Sequence, residues 1–441
     1  MNDKHIIKNI GISMLMKPIS MFLVFIYTPL ALLFLGDEKY GVWAIILNVI
    51  SWINYFDIGI GNGLRNKLTE AVTENNELNA KKYVSTAYIG TIIISVIFGS
   101  IISIVWCAFD LSSVFRLNTP DENSEPIMLV SIVFVCINFV FSLNKTITYA
   151  IQKPALISVI SVVGSILQIA IVFVLSCLTR ENLMAVAIMY GMVTLFENCL
   201  LGLIVKRKKD YLKFSMSMID FSCMKSLLTL GSGFFIIQIS SLILNTTDNL
   251  LISYLYGSTQ VTPYSIVYKI FSMFVQVHGI IIMPMWSAYT EANTKKDIVW
   301  IRNTIKKINV ISGVLTVGAI ITIFIFKPVV SIWLGKNLEY SYGLIVVTAV
   351  YVIMQMFANN YSSFLCGIGN IKISAVISLI SASANIPLSI FFAYTLDMKL
   401  TGIMLGSLIV MSISFFVLPA VSHKWIKAKE TEWTIQEKSY E

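Results

Sequence analysis

The sequence predicts an all-α integral membrane protein, with about twelve transmembrane helices forming two six-helix lobes around a central cavity. Two bulk properties and one pattern predict it. Of 441 residues, 56% are hydrophobic and only 13% are charged, where a soluble chain carries roughly a quarter charged residues. A mean hydropathy of +0.79 leaves too little polar surface to cover a water-soluble globule of this length. Apolar stretches long enough to span recur from end to end, so no soluble domain is left over.

A span needs about 20 mainly apolar residues. Such stretches fall near 9–35, 40–62, 84–108, 127–149, 155–178 and 183–205 in the first half, and near 226–255, 261–287, 306–334, 341–367, 371–395 and 400–423 in the second. Helix 1 is no cleaved signal: it is too long, carries Lys17 and Pro18, and lacks a small-residue cleavage site. Leu35 and Gly36, followed by Tyr40, close it. Helix 2 ends on residues 57–66, where Gly59, Gly61 and Gly63 alternate; glycines there relax the helix end and allow close backbone approach. Helices 4 and 5 are parted only by Lys153 and Pro154, and helices 10 and 11 only by residues 367–372. Both breaks are expected to be tight turns.

Orientation follows from the distribution of Lys and Arg. With the N-terminus in the cytoplasm, inside segments hold Lys4, Lys8, Lys81, Lys82, the basic run 206–209, Lys295 and Lys296, and a basic C-terminal tail. Outside segments hold only Lys39, Arg116, Arg180, Lys336 and Lys399. Both termini are therefore expected in the cytoplasm. Inside-facing charge accounts for the basic loops, so no nucleic-acid partner is called for. The organisation is read as an N-terminal lobe over 1–206, a basic cytoplasmic linker over 207–225, a C-terminal lobe over 226–423 and a cytoplasmic tail over 424–441.

The halves resemble each other at a nearly constant offset. Residues 155–161 (ALISVIS) answer 375–381 (AVISLIS), and Ile188 to Gly191 answer Ile403 to Gly406. Six helices per half make the repeat parallel, about an axis along the membrane normal. The six cysteines lie singly, without CxxC pairs or histidines at metal spacing, and read as small buried hydrophobes. His5, His278 and His423 are scattered. No catalytic or metal-binding constellation is visible, so no enzyme, metal or cofactor is expected.

Polar residues within spans are costly and usually face a partner or a wet cavity. Several keep the i, i+3, i+4 spacing of one helix face. Helix 4 offers Asn138, Ser142, Lys145 and Tyr149; helix 7 offers Gln238, Ser241, Asn245 and Asp248. Helix 8 offers Ser265, Lys269, Ser272 and Gln276, helix 10 Gln355 and Asn359, and helix 11 Ser374, Ser378, Ser381 and Asn385. The bland alternative is helix–helix glue. It weighs evenly for the serine-rich helix 11 and less where a stripe carries Lys or Asp. Lys17 and Lys269 each sit about two turns from a helix end, too deep for simple snorkelling. Lys145 and Asp57 lie nearer the cytoplasmic ends, and Arg65 reads equally as an interfacial anchor. Asp248 is expected to pair with Lys269, and Glu197 has no obvious partner.

Residues 57–66 (DIGIGNGLRN), 35–43 (LGDEKYGVW) and 245–253 (NTTDNLLIS) resemble stretches of bacterial polysaccharide flippases. With the helix count and the repeat, the chain is similar over nearly its whole length to members of the multidrug/oligosaccharidyl-lipid/polysaccharide exporter superfamily. It resembles most the O-antigen and capsule repeat-unit translocases. That resemblance implies movement of an undecaprenyl-pyrophosphate-linked oligosaccharide to the outer leaflet of the inner membrane, for surface polysaccharide such as lipopolysaccharide or capsule. It implies membrane lipids as surroundings, and glycosyltransferases or a polymerase of the same pathway as partners. Sugars want hydroxyl and amide groups, which the stripes supply. A pyrophosphate wants cations, which Lys17, Lys145 and Lys269 would supply. The alternatives are a cation-coupled multidrug exporter, which Asp57, Asp248 and Glu197 keep open, and a lipid II flippase. A membrane glycan polymerase would need a larger outside loop than the segment near 110–126.

Overall fold

In the computed structural model, residues 3–53, 59–108, 124–179, 182–207, 209–256, 260–334 and 340–438 are described. They are helical almost throughout, and eleven of the helices are long and apolar enough to cross a membrane. The expected span 40–62 crosses residues 54–58, outside the described residues. The chain divides into two compact units, Met1–Phe235 and Ile236–Glu441.

The first unit opens with α1 (Asp3–Ile53), interrupted at Gly36, whose φ of 72° and ψ of 168° are open to glycine. Gly59, at φ 74°, then starts α2 (Ile60–Thr73). The glycine-rich stretch thus opens a new helix rather than ending one. Its N-terminal half lies backbone to backbone against the next unit-spanning helix: a Cβ on Gly59 would stand 2.0 Å from the Gly231 carbonyl oxygen, and one on Gly63 2.7 Å from that of Leu227. A turn at Asn75 (φ 55°) leads into α3 (Glu77–Ala108). Next come α4 (Ser124–Phe141) and α5 (Leu143–Ala150), two parts of one span with a break at Ser142. After a turn through Gln152 (φ 57°), α6 (Pro154–Leu178) begins with its proline at the first helical position, where no N–H is needed. Asn182 caps α7 (Leu183–Lys206) by accepting from the Ala185 N–H at 2.8 Å.

Two apolar cores form in this unit. One gathers Trp43, Ile46, Met128, Ile132, Met189 and Val193; the other gathers Leu64, Leu68, Val84, Ile147, Leu201 and Leu227. Along α4, α5 and α7 the positions between them are asparagines. Asn138 Nδ2 donates to the Gly191 carbonyl at 3.0 Å, and Asn198 Nδ2 to Asn138 Oδ1 at 3.2 Å. Asn144 Nδ2 donates to the Asn198 carbonyl at 3.0 Å, Tyr88 Oη to Asn144 Oδ1 at 2.8 Å, and Lys206 Nζ to Tyr88 Oη at 2.7 Å. Each of the three amides donates its Nδ2 or accepts from another polar group, as hydrocarbon surroundings favour, though Asn198 Oδ1 is left without a partner.

The basic segment after α7 is a docked strap. Two 3₁₀ turns, Asp210–Leu212 and Met216–Met218, lie along α3. The Ser215 N–H donates to Ser85 Oγ at 3.1 Å and the Asp220 N–H to Thr86 Oγ1 at 3.0 Å. Leu212 is fully buried, and Asp220 pairs with Lys82 at 3.0 Å. From there α8 (Phe221–Tyr256) runs on into the second unit.

The second unit continues with α9 (Val261–Thr294), α10 (Ile298–Leu334), α11 (Tyr342–Gly367), α12 (Ile371–Ile390), a π turn (Phe391–Thr395) and α13 (Lys399–Lys438). It repeats the order of the first unit and its fine detail. Left-handed turns at Lys296 (φ 56°) and Gly369 (φ 75°) stand where Asn75 and Gln152 stand in the first. Thr69 Oγ1 donates to the Ala150 carbonyl at 3.1 Å, and Thr290 Oγ1 to the Gly367 carbonyl at 2.7 Å. Both satisfy a carbonyl orphaned at the end of a helix. Asn360 takes the place of Asn144: its Nδ2 donates to Asn309 Oδ1 at 2.8 Å, and its Oδ1 faces His278 Nε2 at 2.8 Å. Here α13 extends past the expected end of its span, with Trp425 edge-on to Phe364 and Glu430 paired with Arg302 at 3.0 Å. Cys223 and Cys366 are buried, but Cys107 and Cys177 are exposed on their helices rather than buried as expected.

Candidate functional site

Four helices of the second unit wall an open cavity of about 140 Å³. From α11 come Tyr351, Gln355, Asn359 and Ser362, which steps of three and four residues place on one face. From α12 come Ser374, Ser378 and Ser381, and from α13 Ser407, Val410 and Ser414. Ser241 and Leu244 of α8 complete the wall. Part of this surface is glue, since Ser381 Oγ donates to the Val410 carbonyl at 3.2 Å. At the same wall, Ser374 Oγ is buried with no hydrogen-bond partner.

A second, adjoining cavity shares Leu244 and Tyr351 and is lined by Asp248, Asn249, Tyr264, Ser265, Tyr268 and Met404. Asp248 is 8% exposed and held entirely by hydroxyls. Tyr264 Oη donates to its Oδ2 at 2.5 Å and Ser407 Oγ at 3.1 Å. Asn385 Nδ2 donates in turn to Ser407 Oγ at 2.8 Å, and Thr247 Oγ1 to Asn385 Oδ1 at 3.4 Å. The expected Asp248–Lys269 pair does not form. Lys269 is exposed on α9, as is Gln276, and Ser272 of the same stripe donates to its own helix backbone. Of the helix-8 stripe, Ser265 lines the second cavity, while Lys269, Ser272 and Gln276 line neither of the two.

In the first unit, Asn138 borders a small cavity with Ser131, Tyr190 and Thr194. Lys145, half-buried, lies within coulombic reach of Glu197, the acid for which the sequence offered no partner. Glu197 packs on Gly164: a Cβ there would stand 1.5 Å from its Oε1. Arg65 is 3% exposed with its guanidinium 4.6 Å from the centre of the Tyr149 ring, so it is packed inside rather than anchored at an interface. Gln238 is half-buried beside the cavity wall, its Oε1 unpartnered. Asp57 and the side chains of Lys17 and Asn245 lie outside the described residues.

Ser362, Ser407, Ser414 and Tyr264 escaped the sequence reading. Ser362 extends the Gln355, Asn359 stripe by one step, and Ser407 and Ser414 stand two turns apart on α13, so periodicity carried that signal. Nothing in the sequence separates Tyr264 from the other aromatic residues of its helix.

Residues 6–290 match a family described as "Polysaccharide biosynthesis protein". The chain is 22% identical over 394 residues to a putative O-antigen transporter of Salmonella typhi, covering 87% of each chain. To a putative O-antigen export protein of Yersinia pseudotuberculosis it is 23% identical over 374 residues, covering 80% of this chain and 81% of that one. Among solved structures, a MATE protein in the bent conformation superposes with a TM-score of 0.81 at 15% identity, covering 98% of this chain and 96% of that one. A MOP superfamily transporter from Pyrococcus furiosus superposes with a TM-score of 0.76 at 16% identity, covering 97% and 96%. At these identities the structures establish the fold.

Proposed function

Since the chain belongs to the polysaccharide biosynthesis protein family, we propose that it is a flippase. Its cargo on this reading is an undecaprenyl-pyrophosphate-linked oligosaccharide repeat unit, moved from the cytoplasmic to the outer leaflet of a bacterial inner membrane. The observation that carries the reading is the cavity walled by serines, Gln355 and Asn359 among spanning helices. Lining a cavity with hydroxyl and amide groups inside hydrocarbon is costly unless polar cargo passes there. A glycan supplies a matching set of hydroxyls, and the lipid tail stays in the bilayer. Lys17, Lys145 and Lys269 are the cations offered to the pyrophosphate. The curated relatives, named for O-antigen transport and export, support a carrier rather than a catalyst. The glycosyltransferases and polymerase of the pathway are its proposed partners.

A cation-coupled multidrug exporter is favoured by one observation, the buried Asp248 beside Tyr264, Tyr268 and Tyr351, since an acid among aromatic rings suits cationic drugs. A null strain separates the two. On the flippase reading, repeat units accumulate on their lipid carrier at the cytoplasmic face and surface polysaccharide disappears. Normal surface glycan together with drug sensitivity would establish the exporter instead.

A further inference from the structure

We propose that the serine-lined cavity of the second unit receives the glycan head of the cargo and is selective for uncharged sugars, excluding uronic acids and other anionic ones. The inference rests on the flippase reading and names the substrate class of that site.

Seven serines with Tyr351, Gln355 and Asn359 form the polar part of the wall, and no Lys, Arg, His, Asp or Glu lines it among the described residues. An anionic sugar buried there would find no cation to offset its lost hydration. Two of the hydroxyls are also oriented against it. A serine has one proton and two lone pairs, and two of the wall's protons are already committed. Ser381 gives its proton to the Val410 carbonyl at 3.2 Å, and Ser407 gives its own to Asp248 at 3.1 Å. Ser381 is left with acceptor lone pairs alone, and Ser407, which also accepts from Asn385 at 2.8 Å, with a single one. Acceptors suit the O–H donors of a neutral hexose or the N–H of an N-acetylated one, and repel a carboxylate. The charge that reaches the wall is itself negative, since Ser407 links it to the Asp248 carboxylate. Lys372, at the start of α12, and Lys269, on α9, are both exposed and outside the lining. Ser374 supplies an independent sign of a ligand, since its Oγ is unpartnered in a residue only 4% exposed. A sugar hydroxyl would complete it.

The test uses the full chain in lipid nanodiscs carrying Ser378→Cys, a near-isosteric change at a half-buried lining position. Maleimide modification of the peptide holding residue 378 is read by mass spectrometry, so the native cysteines do not interfere. Ser414→Cys serves as a second reporter should the first fold poorly. Two probes are compared: undecaprenyl-pyrophosphate-linked N-acetylglucosaminyl-glucose, and the same lipid with glucuronic acid in place of glucose. The neutral probe is expected to protect the cysteine at concentrations about tenfold or more below those the acidic probe needs, the scale of an unfavourable like-charge contact. Gln355→Lys is expected to narrow or reverse that preference. Equal protection by both probes, better protection by the acidic one, or none by either overturns the inference. Translocation of the neutral probe in proteoliposomes is measured separately. Protection without translocation would refute the flippase reading while leaving the selectivity of the cavity standing.

Discussion

Asp248 survives among aromatic and aliphatic side chains because hydroxyls answer its oxygens and a second tier of amide and hydroxyl groups orients them. Such a network is costly to leave half-made. Tyr264→Phe keeps the ring and removes the donor at 2.5 Å, so it is expected to lower stability by about 1–2 kcal/mol. Thermal unfolding of the purified protein measures this, and an unchanged midpoint would contradict the role given to the hydroxyl. Outside the spans, Asp220 offers a pH reading. Hydrogen bonds from Ser222, then Lys82, hold its carboxyl well below the usual carboxylate range. A carboxyl depressed in the folded state stabilises fully above its unfolded pKa of about 3.9, and that contribution is lost as pH falls through the folded value. The strap on α3 is therefore expected to stay docked from pH 7 down to about pH 4 and to loosen only below. Hydrogen exchange at the Ser215 and Asp220 amides, corrected for intrinsic rate, follows it; loss of protection already between pH 7 and 5 would contradict the assignment. Asp248 was legible from its depth in a span, but its partner was not. Hydropathy and spacing fix depth and face, whereas the rotation of α9 that carries Lys269 away and brings Tyr264 in is set by packing.

At the scale of elements, most span positions were legible because each needs about 20 apolar residues, while their ends were not. The helices α3, α9, α10 and α13 each run several residues past the apolar stretch. Their extensions are amphipathic, so hydropathy reads them as loop. The tight turns after α5 and α11 were legible from the lack of any other residues to make them, and both contain a left-handed residue. The alternate glycines pointed to close backbone approach, but not to the element approached, α8, since sequence carries no partner for a bare backbone. That contact makes a sharp prediction. At Gly59 an alanine must adopt φ 74° and place its Cβ 2.0 Å from a carbonyl oxygen, while at Gly313 a Cβ meets nothing within 4 Å. Gly59→Ala is expected to cost about 1–3 kcal/mol or more. Gly313→Ala, in the middle of a helix, is expected to be neutral or to stabilise by up to about 1 kcal/mol. Comparing the two unfolding midpoints tests the close approach, because equal shifts would mean that α2 and α8 can part without cost.

For the whole molecule, sequence similarity between the halves was weak, yet the two units repeat one another down to single hydrogen bonds. Thr69 and Thr290 cap equivalent helices, and Asn144 and Asn360 anchor equivalent polar layers. Apolar helices share composition whatever their ancestry, so the repeat is diluted in sequence and plain in the positions that must satisfy a buried carbonyl or amide. Six spans per half, as the sequence predicts, are expected to put corresponding turns of the two halves on the same side of the membrane. Charge says which side. Lys81 and Lys82 follow the turn at Asn75, and Lys295 and Lys296 form the matching turn of the second unit, so both are expected on the cytoplasmic side. The connection between the π turn and α13, which holds Asp397, is expected on the opposite side by the same count. Lys296→Cys and Asp397→Cys both sit at exposed positions, so neither substitution disturbs packing and both are open to reagent. In intact cells a membrane-impermeant maleimide is expected to label residue 397 and to leave residue 296 untouched until the membrane is opened. Labelling of residue 296 from outside would invert the chain in the membrane. It would place the basic strap and the C-terminal end of α13 on the outer face, where the proposed cargo, made in the cytoplasm, could not meet them first.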